Sequence, residues 1–221
     1  MKFKYIILAY IVTFLIALSI GIYSKTLYKD FNEENKPLNN FSIGLMTDHL
    51  AKIGISTMKE ELENSKIILA VECKEKSYFK YSCATQKVEV KKKFKGNNIC
   101  VGDNIEICTV TDIFMDKEMY VDNKPCINID FVNEMQVGKK YLVFLDKKVA
   151  NSNIFVKSDE FLIKPVFSYE QIKNKSCKAF TKEQNSSPYE TVADNEFFIT
   201  SQKGIDRIEK YKSYLIEKYS Y

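Results

Sequence analysis

The chain has 221 residues, of which 45% are hydrophobic and 28% are charged, and 33 basic residues against 29 acidic ones leave a net charge of only +4. Such a small and scattered excess argues against a nucleic-acid-binding protein. Arg207 is the only arginine, which also argues against recognition of phosphates by several bidentate guanidinium groups. Without the apolar N-terminus roughly 190 residues remain, enough for one modest hydrophobic core.

An uncharged apolar segment runs from Tyr5 to Tyr23. As a helix it would span about 28 Å, close to the thickness of the hydrocarbon core of a bilayer. Signal peptides have shorter apolar regions, about 7–15 residues, which end in a small-x-small cleavage site. The one weak candidate for such a site, Ala17-Leu18-Ser19, lies inside the run. The sequence therefore favours an uncleaved membrane anchor, residues 5–23, over a cleaved signal peptide.

The lysines that flank this segment are nearly balanced, because Lys2 and Lys4 precede it while Lys25, Lys29 and Lys36 follow it. The positive-inside rule alone therefore does not set the orientation. The order of a short basic N-terminus, an apolar run and then the whole folded part favours an N-terminus inside the cell. We expect a single-pass protein of the cell membrane with its C-terminal domain outside.

Residues 25–64 are predicted to form a polar linker followed by a juxtamembrane helical segment. Four apolar residues of this segment approximate one helical stripe: Leu45, Leu50, Ile53 and Met58. Gly44 and Gly54 interrupt it, which predicts two short helices or one broken helix. A capping pattern at Ser56 predicts a helix start there.

From Lys66 onward apolar and polar residues alternate, which predicts β-strands. One face of the first strand carries Ile67, Leu69, Val71 and Cys73. In the next strand Val88, Val90 and Phe94 share a face, and the other face carries Glu89, Lys91, Lys93 and Lys95. These lysines are either an anion-binding stripe or, as we prefer, the solvated face of the strand. Further strands are expected around Ile105 and Ile107, at 141–145 with both faces apolar, and as a closing hairpin across Ser158-Asp159.

The segment 112–125 is long and partly apolar. Its large apolar side chains are Phe114, Met115, Met119 and Tyr120. Such side chains either fold back onto the end of the sheet, which we favour, or form a contact surface. If they form a contact surface, the 112–125 loop is the candidate binding surface for an unknown protein or glycan partner.

The residues after 165 are predicted to be a polar tail that contains a short apolar patch and a C-terminal amphipathic helix. The apolar residues of this helix recur at helical spacing: Ile205, Ile208, Tyr211, Leu215 and Tyr219. The chain thus divides into an anchor at 1–24, a linker and helical segment at 25–64, a β domain at 65–165 and a tail at 166–221. The short strands of the β domain, with their glycine turns and no long helices between them, suggest a small antiparallel barrel or sandwich.

The order of elements from Leu62 to Pro165, with the motifs "FKG", "VGD" and "VGKKYLVFL", resembles that of membrane-anchored or secreted proteins of Gram-positive bacteria. Their core is similar to the OB-like barrel of tissue inhibitors of metalloproteinases and netrin modules. The resemblance implies a mainly β fold, with a small antiparallel OB-like barrel after the transmembrane helix and short helices. It does not imply inhibitor activity, because those inhibitors use a free N-terminal cysteine and here the apolar segment occupies the N-terminus.

The six cysteines offer no recognisable metal or catalytic motif. They are Cys73, Cys83, Cys100, Cys108, Cys126 and Cys177. None belongs to a C-x-x-C pair and His49 is the only histidine, so neither a zinc site nor Cys-His or Ser-His-Asp catalysis is expected. Glu60 and Glu61 are neighbours in sequence and do not face each other on a helix.

Strand parity bears on the state of four of the cysteines. Cys73 shares a face with core residues and Cys83 with solvated ones, which predicts that Cys73 is an inert core thiol not bonded to Cys83. A bridge between Cys108 and Cys126, which flank the loop, is the better candidate. An all-thiol state is equally compatible with the sequence.

Because no acid–base set is visible, the sequence predicts a membrane-tethered extracytoplasmic binding or interaction module, not an enzyme, and no cofactor or metal. One alternative is a structural accessory subunit of an envelope complex, which would contact its partners through the anchor and the C-terminal helix. Another is an enzyme with an unrecognised carboxylate or cysteine site.

Overall fold

The computed structural model describes residues 2–27, 30–80, 83–110, 112–114, 120–157, 161–180 and 185–221. Its contacts divide the chain into two compact units, 1–35 and 36–221. The first unit contains the apolar helix, and the second contains the strands and the other two α-helices. The mainly β composition and the helices at both ends of the chain confirm the coarse prediction.

The apolar segment forms helix α1, Lys2–Leu27. Between Phe3 and Lys25 its mean hydropathy is 2.5 and every side chain is exposed. These 23 residues span about 35 Å, enough to cross a membrane. The helix is compatible with a membrane anchor or a signal sequence, and it lacks the buried face of a core helix in a soluble protein. A short 3-10 helix, Phe31–Glu33, follows.

The second unit consists mostly of short strands, together with two α-helices. In chain order its described elements are β1 (Ser42–Gly44), α2 (Asp48–Glu61), β2 (Ile67–Cys73), β3 (Tyr78–Lys80), β4 (Cys83–Lys95), β5 (Asn104–Val110), β6 (Asp112–Phe114), β7 (Cys126–Asn128), β8 (Lys140–Leu145), β9 (Lys147–Lys148), β10 (Ile154–Val156), β11 (Val166–Ser168), β12 (Ser186–Pro188) and α3 (Gln202–Lys218). Among the described residues of this unit, 3-10 helices lie at Pro37–Asn40, Leu62–Asn64 and Tyr189–Thr191.

The larger sheet has eight strands, in the order β11-β8-β2-β4-β5-β10-β9, with β3 paired to β4. Its neighbours are antiparallel except β5 and β10, which are parallel. Strand β9 follows β8 after one residue, Asp146. Among the described strands, the two ends of this order, β11 and β9, do not pair with each other, so no closed barrel is found.

The smaller sheet has the order β12-β1-β7-β6. Strand β1 pairs parallel with β7 and antiparallel with β12, although the three strands are far apart in sequence. The buried Ser42 hydroxyl donates a hydrogen bond to the carbonyl of Val121 at 3.0 Å. This bond fixes the end of the 112–125 segment against β1.

Both faces of the larger sheet are buried at its centre. Leu69 and Val71 belong to a cluster on one face, to which strands β4, β5, β8 and β10 also contribute, whereas Ile68 belongs to the cluster covered by α2 and α3. Strand β8 lies between β2 and β11 and is buried on both sides. The prediction of a central strand with two apolar faces is therefore confirmed.

Helix α2 differs from its prediction in its start and continuity. It is one helix, and the Thr47 hydroxyl accepts a hydrogen bond from the Leu50 N–H at 3.4 Å, so the predicted start at Ser56 is wrong. Gly54 does not break it. A Cβ at this position would lie 3.0 Å from the side chain of Ile163. The missing side chain instead allows close packing against the segment after β10.

The buried face of α2 also differs from the predicted stripe. Ala51, Ile55 and Met58 are buried, whereas Leu50 and Ile53 are 38% and 42% exposed. The stripe is rotated because the neighbouring helix α3 and the 161–163 segment, rather than the sequence of α2, determine which side is covered.

The C-terminal helix confirms its prediction, since Ile205, Ile208, Tyr211 and Leu215 are buried. The apolar patch before it is also part of the core, where Phe197 is fully buried in the cluster beneath the helices. Residues 166–221 therefore belong to the same compact unit as the sheet.

Two details of the strands were predicted wrongly. Phe94 packs on the helix side, edge-on to Tyr219, whereas Val88 and Val90 belong to the opposite cluster. A register shift between Val90 and Lys92 inserts one residue and reverses the parity.

The second wrong detail is the closing hairpin. Strand β10 pairs with β5 and β9, and residues 161–165 are not in a strand, so the hairpin is not formed. Its turn at Ser158-Asp159 lies outside the described residues.

Candidate binding site

Only part of the predicted contact segment 112–125 is described, namely 112–114 and 120–125, so Met115 and Met119 lie outside the described residues. Phe114 ends β6 and is 39% exposed, and Val121 is buried. Val121 and Lys124 form an isolated bridge that closes a tight turn. The described part thus places the ring of Phe114 at the edge of the smaller sheet.

A pocket of about 310 Å³ opens beside this segment. Its walls come from β1, β6 and β7 and from the segments 128–131 and 185–186, and they include Gly44, Phe114, Ile127 and Phe131. The lining is mainly apolar, with a few polar groups such as Ser186. A pocket of this size and composition has room for one apolar side chain with a hydrogen bond or two at its rim.

Phe131 of the pocket wall and its neighbour Asp130 both adopt a left-handed backbone conformation. Asp130 has φ +50° and Phe131 has φ +60°. A positive φ is tolerated by aspartate but is rare for an aromatic residue. Strain of this kind persists only where the surrounding structure enforces it, and it is concentrated at binding and catalytic sites.

Beneath the pocket, the Asp130 carboxylate is buried in an unusual way. Its Oδ2 atom accepts no hydrogen bond among the described residues, although the Lys157 ammonium lies 3.4 Å away as an ion pair. The side chains of Asp130 and Lys157 are only 10% and 14% exposed. The Oδ2 atom is thus stabilised by the charge of Lys157, and removing one partner of such a buried ion pair is costly.

A second lysine completes this buried group. Lys164 is 3% exposed and donates through Nζ to the carbonyl of Thr109, while its own N–H donates to the Asp130 carbonyl at 3.0 Å. Burial lowers the pKa of Lys164 to about 8, and the nearby Asp130 charge opposes that shift. Close by, burial raises the pKa of Glu134, which accepts a hydrogen bond from Ser77 at 2.7 Å.

We expect the stability of the protein to depend on the protonation of Lys164. Its folded pKa, about 8, lies below the unfolded value of about 10.4. The unfolded state therefore binds more protons between these values, and stability rises with pH above about 8. Relative to Lys164→Met, the wild-type free energy of unfolding should increase by about 1 kcal/mol between pH 7.5 and 9.

Urea titrations of both proteins at each pH measure this difference. Comparison with Lys164→Met removes the contributions of groups common to both chains, such as Cys73, whose thiol titrates in the opposite sense. A difference that is constant with pH would show that Lys164 keeps an ordinary pKa in the folded protein.

All six cysteines are free thiols. Cys73 is fully buried, as predicted, and burial raises the pKa of its thiol to about 12. It lies opposite Val88 on β4, five residues from Cys83, and the side-chain amide of Gln86 donates to its sulfur at 3.5 Å. A thiol with so little thiolate is unreactive.

The bridge suggested between Cys108 and Cys126 is not formed in the structure. Cys108 pairs with Thr85 in the larger sheet, whereas Cys126 pairs with Ser42 in the smaller one. The two cysteines flank one loop in the sequence, but their strands join different sheets, which local sequence does not reveal.

The lysine face of β4 has the ion pairs of a solvated strand. Lys91 pairs with Glu89 at 2.7 Å and with Glu72 at 3.3 Å, and Lys74 pairs with the same two carboxylates at 2.8 and 2.7 Å. Hydrogen bonds from Lys74 and Lys91 lower the pKa of Glu89 to about 2. This part of the face is therefore neutralised internally, which favours the solvated-face interpretation over an anion-binding stripe.

Other residues considered for chemistry are not brought together. His49 is exposed in the first turn of α2, and Glu60 and Glu61 are exposed near its end. Within the described part of the chain, no group of three or more His, Cys, Asp or Glu side chains is placed to hold a metal ion.

No family model matches this sequence, and no curated protein matches it. The resemblance to Gram-positive proteins with an OB-like core stays a prediction.

Sequence reasoning missed the residues that build this site, except Phe114. A signal was present for two of them: Asp130 and Lys164 are single charges inside the apolar runs "INIDFV" and "FLIKPV". A charge at such a position is expected to be buried and paired. Gly44 and Phe131 gave no such signal.

Proposed function

We propose that the protein is a membrane-tethered, extracytoplasmic interaction module that binds a protein partner through the pocket beside β6. The pocket itself carries the proposal: it is preformed, mainly apolar and bordered by a partly exposed Phe114. An apolar lining fits a side chain of a protein better than a glycan, whose hydroxyl groups need many hydrogen-bond partners. No catalytic role is assigned to any residue.

The anchoring part of the proposal is supported by α1. An exposed helix of mean hydropathy 2.5 needs a lipid environment, and its only weak cleavage site lies inside the apolar run. In this proposal residues 5–23 stay in the membrane, and the unit 36–221 lies outside the cell.

The proposal includes an OB-like core. The parallel pairing of β5 with β10 supports it, as does the position of β9, which continues β8 after one residue and pairs with β10. A single apolar cluster collects side chains from six strands on one face. An OB-like sheet has this combination of pairings, so solution of the strand register by NMR would test it.

The side of the membrane on which the 36–221 unit lies is testable with a native residue, because Cys100 is the exposed one among the six cysteines. A membrane-impermeant maleimide, applied to intact cells after mild reduction, should label the wild-type protein and not Cys100→Ser. Permeabilised cells serve as the control for access. Labelling only after permeabilisation would place the domain in the cytoplasm, a compartment in which six free thiols are expected.

The pocket is testable at Gly44, where a Cβ would lie 3.6 Å from the Phe131 ring, an ordinary contact. Gly44→Leu should fill the pocket without a backbone change, and Gly44→Ala is the matched control. With a photoreactive phenylalanine analogue at position 114, crosslinking to the partner in cells should fall about tenfold in Gly44→Leu, which corresponds to about 1.4 kcal/mol of binding energy.

Crosslinking that is unchanged in Gly44→Leu would contradict binding through the pocket. A partner that co-purifies equally with both variants would instead favour the structural accessory role, in which the anchor or the C-terminal helix makes the contact.

A further inference from the structure

A second concave surface lies between helices α2 and α3. It is a groove of about 750 Å³ whose floor contains the buried Ile55 and Tyr211. The Tyr211 hydroxyl donates to the Met58 carbonyl at 2.9 Å, and its ring stacks on Tyr214 with centroids 6.1 Å apart. The floor is therefore rigid, because both helices and a buried hydrogen bond hold it.

The rim of this groove is positively charged. Four cations line it: Lys52, Lys59, Arg207 and Lys210. Glu63 is the one carboxylate in the lining, and it pairs with Lys218, while Arg207 pairs with Asp48 at 2.7 Å. These two carboxylates are thus already paired with cations.

Three of the cations have no acidic partner in the part of the chain that the structure describes. No described carboxylate lies within ion-pair distance of the ammonium groups of Lys52, Lys59 and Lys210. Lys59 lies 5.9 Å from the centroid of the Tyr211 ring. In contrast, Lys74 on the larger sheet contacts two carboxylates. Uncompensated positive charge therefore faces a concave surface here, where the field is focused.

We propose that the α2–α3 groove binds a soluble chain of phosphate groups. Lysine is a common ligand of phosphate as a point charge, and the hydroxyl of Ser56 adds a hydrogen-bond donor between the lysines of α2. Lys52 and Lys59 are two helical turns apart, which separates them by roughly 10 Å along the groove. This spacing exceeds the width of a single phosphate group and fits a chain of several linked phosphates.

The concave shape also selects among sources of phosphate. The headgroups of a lipid bilayer form a flat surface, whereas the groove admits a narrow chain between two helices. The binding is independent of the pocket beside β6, since none of the lining residues is shared. Failure of one proposal therefore leaves the other intact.

The test uses the full chain in nanodiscs of uncharged phosphatidylcholine, with inorganic tripolyphosphate and inorganic phosphate as separate titrants in calorimetry. Tripolyphosphate should bind, and inorganic phosphate should bind at least about tenfold more weakly because it reaches fewer cations. Binding should weaken as salt is raised. The groove variant replaces three cations: Lys52→Gln, Lys59→Gln and Lys210→Gln. It should lose at least about tenfold in affinity.

The control variant removes the same charge elsewhere, at three exposed lysines that also lack an acidic partner among the described residues: Lys93→Gln, Lys147→Gln and Lys173→Gln. It should keep its affinity within about twofold. An equal loss of tripolyphosphate affinity in both variants would show that only net charge matters, and it would overturn the proposal. Absence of tripolyphosphate binding to the wild-type protein would also overturn it.

Two further titrants distinguish other ligands. The first is a nanodisc or vesicle that contains phosphatidylglycerol. If it binds through the groove and tripolyphosphate does not, the groove is a site for lipid headgroups. Tighter binding of a single-stranded oligonucleotide, lost in Tyr214→Leu, would assign it to nucleic acid. Either result would overturn the proposal.

Discussion

Phe197→Ala should lower the free energy of unfolding by about 3–5 kcal/mol, because it opens a cavity in a core that has no freedom to collapse. Phe197 is fully buried, and its ring centroid lies 6.3 Å from that of Phe167 on β11. The side chain thus joins the C-terminal part of the chain to the edge of the larger sheet. A loss of this size would establish that residues 166–221 are integral to the fold.

The matched control is Phe180→Ala, which removes the same side chain from a position that is 52% exposed. It should change stability by less than about 0.5 kcal/mol. Urea titration of the full chain in detergent micelles measures both, with tyrosine fluorescence as the signal, since the chain has 14 tyrosines and no tryptophan. Equal small effects at the two positions would mean that the 196–200 patch does not pack as described.

Asp130→Asn should cost about 2–4 kcal/mol of stability, because it removes the carboxylate that pairs with the buried Lys157 and that interacts with the nearby charge of Lys164. Asparagine tolerates the left-handed conformation that Asp130 adopts, at φ +50°, so the variant changes the charge and keeps the backbone. Loss of the carboxylate should also lower the pKa of Lys164 further below its value of about 8. The stability deficit should therefore shrink as the pH rises above 8 and Lys164 becomes neutral.

Asp146→Asn is the control, since Asp146 pairs with the exposed Lys66 at 3.0 Å. An exposed pair of this kind contributes at most about 1 kcal/mol. A double-mutant cycle with Lys157→Met should give a coupling energy of about 1–3 kcal/mol for the buried pair. If Asp130→Asn is as stable as the wild type, the carboxylate is not held by the two lysines and the strained wall has another cause.

The candidate site depends on neighbours that no local pattern reveals. Gly44, Phe131 and Ser186 are more than 40 residues apart, and the parallel pairing of β1 with β7 and the antiparallel pairing of β1 with β12 bring them to one pocket. Such pairings close long loops, and their choice rests on the packing of the whole core. The sequence therefore identified the 112–125 segment as a candidate surface and left its opposite walls undetermined.

Residue spacing alone predicts the features whose periodicity is local. The unbroken apolar run of α1, the buried stripe of α3 and the two apolar faces of β8 follow from residue spacing, because each helix or strand repeats its side-chain directions regardless of its partners. Packing in the folded protein sets the buried face of α2, the side to which Phe94 points and the partner of β10. Helix α3 covers α2, a one-residue bulge in β4 turns Phe94 to the other face, and the parallel strand β5 pairs with β10. None of these constraints changes the residue pattern of the element on which it acts.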